Sequence, residues 1–468
     1  MNSEPDFFSN LRAEIADGRI WLDRLVVLAA AVSAGLFVVG FTLLTNHAFE
    51  AFGLLQRLGA WWPFVWTPAA TAGLAWLTLR YTPGAAGSGI PQVMAALEPA
   101  VSPQQLSLFV SLKLSIAKIV LSVGGIAAGL SIGREGPSVQ VAAGVMLQAR
   151  RWLSPRSGIN THGLLVAGGA AGIAAAFNTP LAGVVFAIEE LSRRMEQRSS
   201  GLIISAIVTA GLMAVSVFGN LTYFGVVHVP HLDAGMLLPG VLVTIVAGLL
   251  GGLFARLLQA TMSGLPDRFS RLRRERPIRF AAACGLAVAL IGWVSHGATY
   301  GSGYETTRGL LEGESSVGSL YVVLKFVSTW ISAASGVPGG IFAPSLSIGA
   351  GVGFDIAQWL RPDAAAPLIA IGMAAYLAAV TQAPLTSFII VMEMVDGHQM
   401  VLSLMAAAML ARLVSRLISH PLYPALAQLQ LARLPPVEVA ADEPPQDAPS
   451  ADAARPPDDI DVLDVKRM

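Results

Sequence analysis

The stretch Gly133-Arg134-Glu135-Gly136-Pro137 decides how this sequence folds. It lies between the apolar segments 122–130 and 138–146, so two charged residues occur where each costs at least about 2.5–3.5 kcal/mol. The glycines permit a break in the backbone and a close approach to a ligand, and a proline suits the first turn of a helix. The pattern predicts a helix break at 133–136 and a new helix beginning at 135–137. Its free N–H groups and positive dipole end would form an anion site.

The composition is that of a multi-spanning membrane protein. Of 468 residues, 54% are hydrophobic and only 13% are charged. Lys+Arg and Asp+Glu number 30 each, so the charge balance gives no indication of nucleic-acid binding. Cys284 is the only cysteine, which excludes an intramolecular disulfide and a cysteine metal cluster. The N-terminal 19 residues are polar and mixed in charge, unlike a cleavable signal peptide.

The chain divides into a polar leader, a membrane domain and a polar tail. We expect residues 1–20 to be a cytoplasmic leader, 21–428 the membrane domain, and 434–468 a disordered tail rich in Pro, Asp and Ala. The arginine-dense loop at 266–279 is predicted to be cytoplasmic by the positive-inside rule. The segment 295–315 is expected to be a polar, Gly-rich connection.

Many of the apolar segments are shorter than the ~20 residues that a full membrane span needs. Broken and re-entrant helices that line a cavity account for such lengths. We therefore predict an all-α multi-pass membrane protein with discontinuous helices. The predicted helical segments are 22–46, 60–81, 90–97, 106–130, 135–149, 163–190 (interrupted at 178–180), 200–218, 237–262, 281–294, 319–335, 341–360, 365–380, 384–395 and 400–418.

The chain contains an internal repeat. Residues 168–181 match 372–385 at an offset of 204, and the same offset places Glu189 over Glu393. Upstream, 133–137 lies over 340–344 at an offset of 207. We assign a first half at about 21–262 and a second at about 280–428. Paired helix breaks in two homologous halves are typical of secondary transporters, whose substrate site lies at the repeat interface.

Three broken-helix segments are candidates to build one site: 87–91, 133–137 and 340–344. Each places glycine beside a helix start and therefore supplies backbone N–H donors. The first adds the hydroxyl of Ser88, and neither the first nor the third contains a carboxylate. This chemistry favours an anion over a cation.

These motifs resemble those of the CLC family of chloride channels and chloride/proton antiporters. The resemblance covers about residues 20–428 and rests on four strings: Gly-Ser-Gly-Ile-Pro at 87–91, Gly-Arg-Glu-Gly-Pro at 133–137, Gly-Gly-Ile-Phe-Ala-Pro at 339–344 and Pro-Leu-Tyr at 421–423. It implies the all-helical CLC fold with two inverted structural repeats and one pore per subunit. It also implies a homodimer in the lipid of the bacterial inner membrane.

The resemblance assigns roles to individual residues. Glu135 would be the gating glutamate, Glu190 the inner proton-transfer glutamate, Glu189 its helper, and Lys118 an electrostatic support. The residues expected to bind chloride, by side chain or backbone, are Ser88, Gly89, Arg134, Gly136, Gly340, Ile341, Phe342 and Tyr423. No cofactor, metal or nucleic acid is expected.

Two features depart from the family pattern. The family often has an acidic residue after the Ile-Pro of the first motif, where this chain has Gln92, and we expect little loss of core function. Eukaryotic members carry a cytoplasmic nucleotide-binding module after the last helix. Only a short polar tail follows here, so we expect no such regulation.

The predicted function is chloride/proton antiport, and the protein is not expected to be an enzyme. The alternatives are a passive voltage- or pH-gated chloride channel of the same fold, a transporter of another anion, and a membrane enzyme with Glu135 and His162 as acid and base. Ser88 favours chloride, because nitrate users of the family carry Pro there. For Glu190 the alternative is a solvated helix end beside Arg193 and Arg194.

Overall fold

Helices make up all the regular structure of the described residues. The computed structural model describes residues 18–155, 157–192, 200–219, 222–225, 234–264, 267–314 and 317–434. The predictions for most of the leader, for nearly all of the tail and for Arg193 and Arg194 lie outside these ranges. The α-helices are α1 (Gly18–Arg57), α2 (Trp62–Tyr81), α3 (Ile90–Ala96), α4 (Pro103–Phe109), α5 (Leu112–Ala127), α6 (Glu135–Met146), α7 (Thr161–Phe177), α8 (Pro180–Phe186), α9 (Ser200–Phe218), α10 (Leu237–Ser263), α11 (Arg268–Glu275), α12 (Pro277–Val294), α13 (Tyr304–Glu312), α14 (Tyr321–Ala334), α15 (Phe342–Leu360), α16 (Ala365–Thr381), α17 (Pro384–Met394), α18 (Val401–Arg416) and α19 (Leu422–Leu431).

Seven helical stretches of the described part are long and apolar enough to cross a membrane. The remaining helices of the described part fail in length or in apolar character, and two of them, Ile90–Ala96 and Pro180–Phe186, have only seven residues. This confirms the predicted mixture of spans and broken helices. The protein is a multi-pass membrane protein of the all-α class. The seven stretches are Gly18–Arg57, Pro103–Ala127, Ser200–Phe218, Leu237–Ser263, Pro277–Val294, Pro362–Thr381 and His398–Arg416.

Three sequence predictions were wrong in detail. The expected helix 106–130 is two helices, α4 and α5, because Ser111 adopts an extended conformation and caps α5 by accepting from the Leu114 N–H at 3.3 Å. The expected polar connection 295–315 contains α13, which buries Thr307 and Leu310. Its few apolar residues hid the helical period.

The arginine-dense segment 266–279 is also partly helical rather than a loop. Asp267 caps α11 by accepting from the Ser270 N–H at 3.2 Å. Phe269 anchors the helix, because its ring stacks on Trp330 at 5.4 Å and meets Phe280 edge-on at 4.8 Å. Arg273 adds hydrogen bonds to the carbonyl oxygens of Ala334 at 3.0 Å and Thr261 at 3.2 Å, so both side chains hold this charged helix against the protein.

Small residues let the core helices approach closely in both halves. A Cβ on Gly172 of α7 would lie 2.5 Å from the Ser138 carbonyl oxygen of α6. In the second half, a Cβ on Gly349 of α15 would overlap the Gly372 carbonyl of α16. Such contacts bring helix backbones together where no hydrophobic effect drives association. The α6–α7 and α15–α16 pairs are the matching parts of two inverted repeats.

Candidate anion site

The two central helix breaks are joined directly to each other. The Gly133 N–H donates to the Gly340 carbonyl at 2.7 Å, and the Gly340 N–H donates to the Gly133 carbonyl at 2.7 Å. Helix α6 begins two residues after the first glycine, at Glu135, and α15 two residues after the second, at Phe342. The positive ends of both helices therefore lie around one point, which is a favourable place for an anion.

Glu135 places its carboxylate at this point. The residue is fully buried, and a Cβ on Gly133 would overlap its Oε2. The polar groups around the carboxylate are the backbone N–H groups of Arg134, Glu135 and Ala343. The Arg134 side chain is the neighbouring cation. Among the described residues, neither carboxylate oxygen makes a hydrogen bond of good geometry. The carboxylate thus occupies a position suited to a free anion without being locked there.

The loop before α3 brings Ser88 to the same place. A Cβ on Gly136 would overlap the Ser88 hydroxyl oxygen and lie 3.4 Å from the Gly340 Cα. A Cβ on Gly89 would lie 2.5 Å from the Gly136 carbonyl oxygen. All three glycine-bearing segments singled out in the sequence therefore converge. Only glycine at 136 leaves room for the hydroxyl of Ser88.

Two side chains hold the Ser88 loop. Lys118 is fully buried, and its Nζ donates to the carbonyl oxygens of Ala85 at 2.8 Å and Gly87 at 2.7 Å. Gln92 accepts from the Gly89 N–H at 2.9 Å and donates to the Ala86 carbonyl. An acidic residue at position 92 would lack that second donor in its ionised form. The departure from the family pattern is thus accommodated locally.

Tyr423 closes the site from the start of α19. The residue is fully buried, α19 packs against α3, and the hydroxyl groups of Tyr423 and Ser88 approach each other. Within the described ranges, neither hydroxyl has a hydrogen-bond partner of good geometry. Buried hydroxyls are nearly always hydrogen-bonded. Two such donors beside two helix N-termini form an arrangement suited to a small anion.

Glu189 is a helix cap. It lies on a single π-helical turn, Ala187–Leu191, that continues α8. Its Oε1 accepts from the Leu385 N–H at 3.1 Å and its Oε2 from the Thr386 N–H at 2.6 Å, at the first turn of α17. This contact gives Glu189 a structural role. The helper role implied by the resemblance stays a prediction.

The repeat-related Glu393 makes the reciprocal cap. Its two oxygens accept from the Leu181 N–H at 3.3 Å and the Ala182 N–H at 2.7 Å, at the first turn of α8. The six residues of the two caps form three pairs at an offset of 204: Glu189 with Glu393, Leu181 with Leu385, and Ala182 with Thr386. Such an exchange of contacts is what a twofold relation between the halves requires.

Glu190 lies on the same π-helical turn and is half-buried. π-Helical turns widen a helix locally and are frequent at functional sites. The structure therefore places Glu190 at a local irregularity of the helix that follows Pro180.

Sequence reasoning missed the surroundings of Arg134. Its guanidinium donates to Asn46 Oδ1 at 2.7 Å, to Thr45 Oγ1 at 3.3 Å and to the Tyr223 hydroxyl at 3.2 Å. The Tyr223 ring lies 5.7 Å from Phe177, whose ring is 5.5 Å from Phe342. Tyr223 occurs in the segment 219–233, between two predicted helices and without a motif, so no signal in the sequence pointed to it.

His162 lies away from Glu135. It is the second residue of α7, ten residues before Gly172, which is the point where α7 meets the first turn of α6 (172 − 162). Ten residues of helix span about 15 Å. The pairing of Glu135 with His162 as acid and base is therefore not supported by the geometry.

The sequence profile of the voltage-gated chloride channel family matches residues 69–416. The H(+)/Cl(-) exchange transporter ClcA of Klebsiella pneumoniae is 32% identical over 437 residues, which cover 87% of this chain and 89% of that protein. The chain belongs to the CLC family. A second relative of this CLC protein, the H(+)/Cl(-) exchange transporter ClcA of Salmonella paratyphi A, is 31% identical over 388 residues, covering 80% of each chain. These relatives are transporters, not enzymes.

Solved structures share the CLC fold. A slow cyanobacterial Cl-/H+ antiporter matches with a TM-score of 0.76 at 24% identity, covering 88% of this chain and 98% of that one. A eukaryotic CLC transporter matches with a TM-score of 0.72 at 21% identity, covering 88% and 75%. A CLC-type fluoride/proton antiporter matches with a TM-score of 0.71 at 21% identity, covering 90% and 99%. At these identities the likeness concerns the fold.

Proposed function

We propose that this CLC protein exchanges chloride for protons across the membrane, with Glu135 as the gate and Glu190 as the inner proton-transfer group. The observation that carries the proposal is the buried Glu135 carboxylate at the joined N-termini of α6 and α15, beside the hydroxyls of Ser88 and Tyr423. The names of the similar relatives from Klebsiella and Salmonella support antiport.

Chloride would bind at the same helix ends as the carboxylate. The hydroxyls of Ser88 and Tyr423 and the backbone N–H groups of Ile341 and Phe342 would donate to it, because helix N-termini bind anions without a cationic side chain. Gly89, Gly136 and Gly340 allow the backbones to approach the ion. Arg134 and Lys118 add positive potential nearby.

Glu135 would couple the two ions by competing with chloride. An ionised carboxylate is stabilised at these helix ends as chloride is, so the two anions exclude each other from one position. A protonated carboxyl loses that attraction and leaves the position to chloride. Each gate opening then requires one proton, which is the basis of exchange.

Protons from inside would reach Glu135 by way of Glu190. The half-buried position of Glu190 on the π-helical turn supports this path. The residues before Glu189 on this helix, 180–188, carry no polar side chain, so transient water would carry the proton. We further propose the homodimer implied by the family.

The test is simultaneous recording of chloride and proton movement from liposomes. Wild-type protein is expected to move protons against their gradient when given a chloride gradient, and Glu190→Gln is expected to keep chloride flux without proton movement. Wild-type chloride flux without any proton flux would instead support the passive channel. Coupled proton movement in Glu190→Gln would remove the role of this glutamate.

A further inference from the structure

A second lysine is buried in the membrane domain in the same manner as Lys118. Lys325 of α14 is fully buried, and its Nζ donates to the carbonyl oxygens of Thr299 at 3.0 Å and Gly301 at 2.8 Å. It lies 207 residues after Lys118 (325 − 118), the offset that relates Gly133 to Gly340. A buried ammonium is costly unless its donors are paired. Each lysine therefore depends on the loop whose two carbonyl oxygens accept its hydrogen bonds.

The two loops held by the lysines are counterparts. Both contain Gly-Ser-Gly, at 87–89 and at 301–303, and a helix begins directly after each. In each loop both glycines have positive φ: +77° and +114° in the first, +62° and +84° in the second. This backbone strongly favours glycine. The same unusual conformation occurs twice, once in each half.

The two loops also pack against equivalent helices. A Cβ on Gly89 would lie 3.1 Å from the Gln140 Cβ of α6. A Cβ on Gly303 would lie 2.6 Å from the Ser347 Cβ of α15. Gln140 and Ser347 are 207 residues apart (347 − 140). The second loop is thus the inverted counterpart of the loop that carries Ser88.

The second loop leads to the surroundings of the gate. Tyr304 follows it, and its hydroxyl donates to the Tyr223 carbonyl at 2.9 Å while the two rings lie 4.9 Å apart. The Tyr223 hydroxyl accepts from Arg134, the neighbour of Glu135. A continuous chain of contacts therefore runs from Lys325 to the gate glutamate.

We propose that Lys325 is a positioning residue for the Glu135 gate: it fixes the loop 299–303 and so holds Tyr304 and Tyr223 against Arg134. Lys118, its counterpart, fixes the loop that contributes Ser88 to the anion site. The two halves thus use the same lysine-held loop for different purposes. The inference rests on the proposed role of Glu135 as gate.

The test measures chloride efflux from liposomes for Lys325→Met and Lys118→Met, each with Glu135 intact and in a Glu135→Gln protein. If Lys325 acts through the gate, its replacement slows efflux by about fivefold with Glu135 intact and by less than about twofold in Glu135→Gln, because coupled residues are non-additive. Lys118→Met is the matched control and should slow efflux in both backgrounds. Lys325→Arg, which keeps a buried cation with donors, should restore most of the rate.

Tyr304→Phe provides a milder variant, since it removes only the hydroxyl that binds the Tyr223 carbonyl. It should also slow efflux only when Glu135 is present, and it decides the question if Lys325→Met does not fold. Equal slowing in both backgrounds, or no slowing in either, would overturn the proposal. This experiment measures only chloride. A wild-type protein that moves no protons would therefore overturn the proposed antiport, but the effects of Lys325→Met in the two backgrounds could still be compared. Loss of chloride flux in Glu135→Gln itself would remove both the gate role and the inference.

Discussion

The reciprocal caps made by Glu189 and Glu393 allow a test with a control built into the chain. Each carboxylate accepts two backbone N–H bonds from the first turn of the opposite helix. Replacing either glutamate by glutamine keeps one acceptor oxygen but turns the other into an NH2 group that faces a donor. Since the two sites are counterparts in the repeat, Glu189→Gln and Glu393→Gln should have similar effects on stability.

The size of the effect follows from the bonds that are lost. A hydrogen bond to a charged group contributes about 1.5–3 kcal/mol. The charge at a helix N-terminus adds about 0.3–1 kcal/mol. One lost bond and one lost charge give about 2–4 kcal/mol less unfolding free energy for each variant. The measurement is equilibrium unfolding in mixed detergent micelles, followed by tryptophan fluorescence.

Proton flux in the same two variants separates capping from proton transfer. If Glu189 only caps α17, both variants should keep the wild-type ratio of chloride to proton flux. If Glu189 also has the helper role, Glu189→Gln alone should lose proton flux. Unchanged stability in both variants would refute the reasoning, because it would mean that these bonds contribute nothing to the fold.

Three further outcomes are expected. Glu135→Gln should end proton coupling while chloride still passes, since a neutral amide resembles the protonated carboxyl; proton movement driven by a chloride gradient would contradict the gate role. Ser88→Pro should raise the nitrate-to-chloride flux ratio, because the hydroxyl donor is lost and the ring changes the helix start; an unchanged ratio in reconstituted protein would argue against Ser88 at the anion site. Gly136→Ala should reduce chloride flux by about tenfold or more, because its methyl group displaces the Ser88 hydroxyl. The control is Gly73→Ala, which should transport normally because a Cβ at position 73 meets nothing within 4 Å.

The helix breaks were predictable from sequence because glycine and proline mark them. The strings at 87–91, 133–137 and 340–344 each place glycine before a helix, and the structure has helices beginning at Ile90, Glu135 and Phe342. Their convergence was also predictable, since paired breaks in a repeat meet at the repeat interface. What the strings lack is any information on which backbone groups pair across the interface.

The parts that sequence reasoning missed depend on changes in repeat spacing and on distant contacts. Gly-Ser-Gly at 301–303 lies 214 residues after its counterpart, whereas the helix breaks are 207 apart, so one fixed offset does not align both. The short helix α13 that follows has too few apolar residues to show a helical period in the sequence. The reciprocal caps were visible only as an alignment of Glu189 with Glu393, because a side chain that caps a different helix leaves no local pattern.

The repeat also bears on why the proposed gate is a single glutamate. Gly133 and Gly340 are equivalent positions of the two halves and bind each other. The axis that relates the halves therefore passes near their bridge. Glu135 and Phe342 are likewise equivalent, at an offset of 207 (342 − 135), and both lie at the joined helix ends. A glutamate at both positions would place two like charges at one point, and one of them would be forced to stay protonated. With Phe342 there instead, the ring contacts Phe177, and in the proposed exchange only the Glu135 carboxylate would compete with the anion.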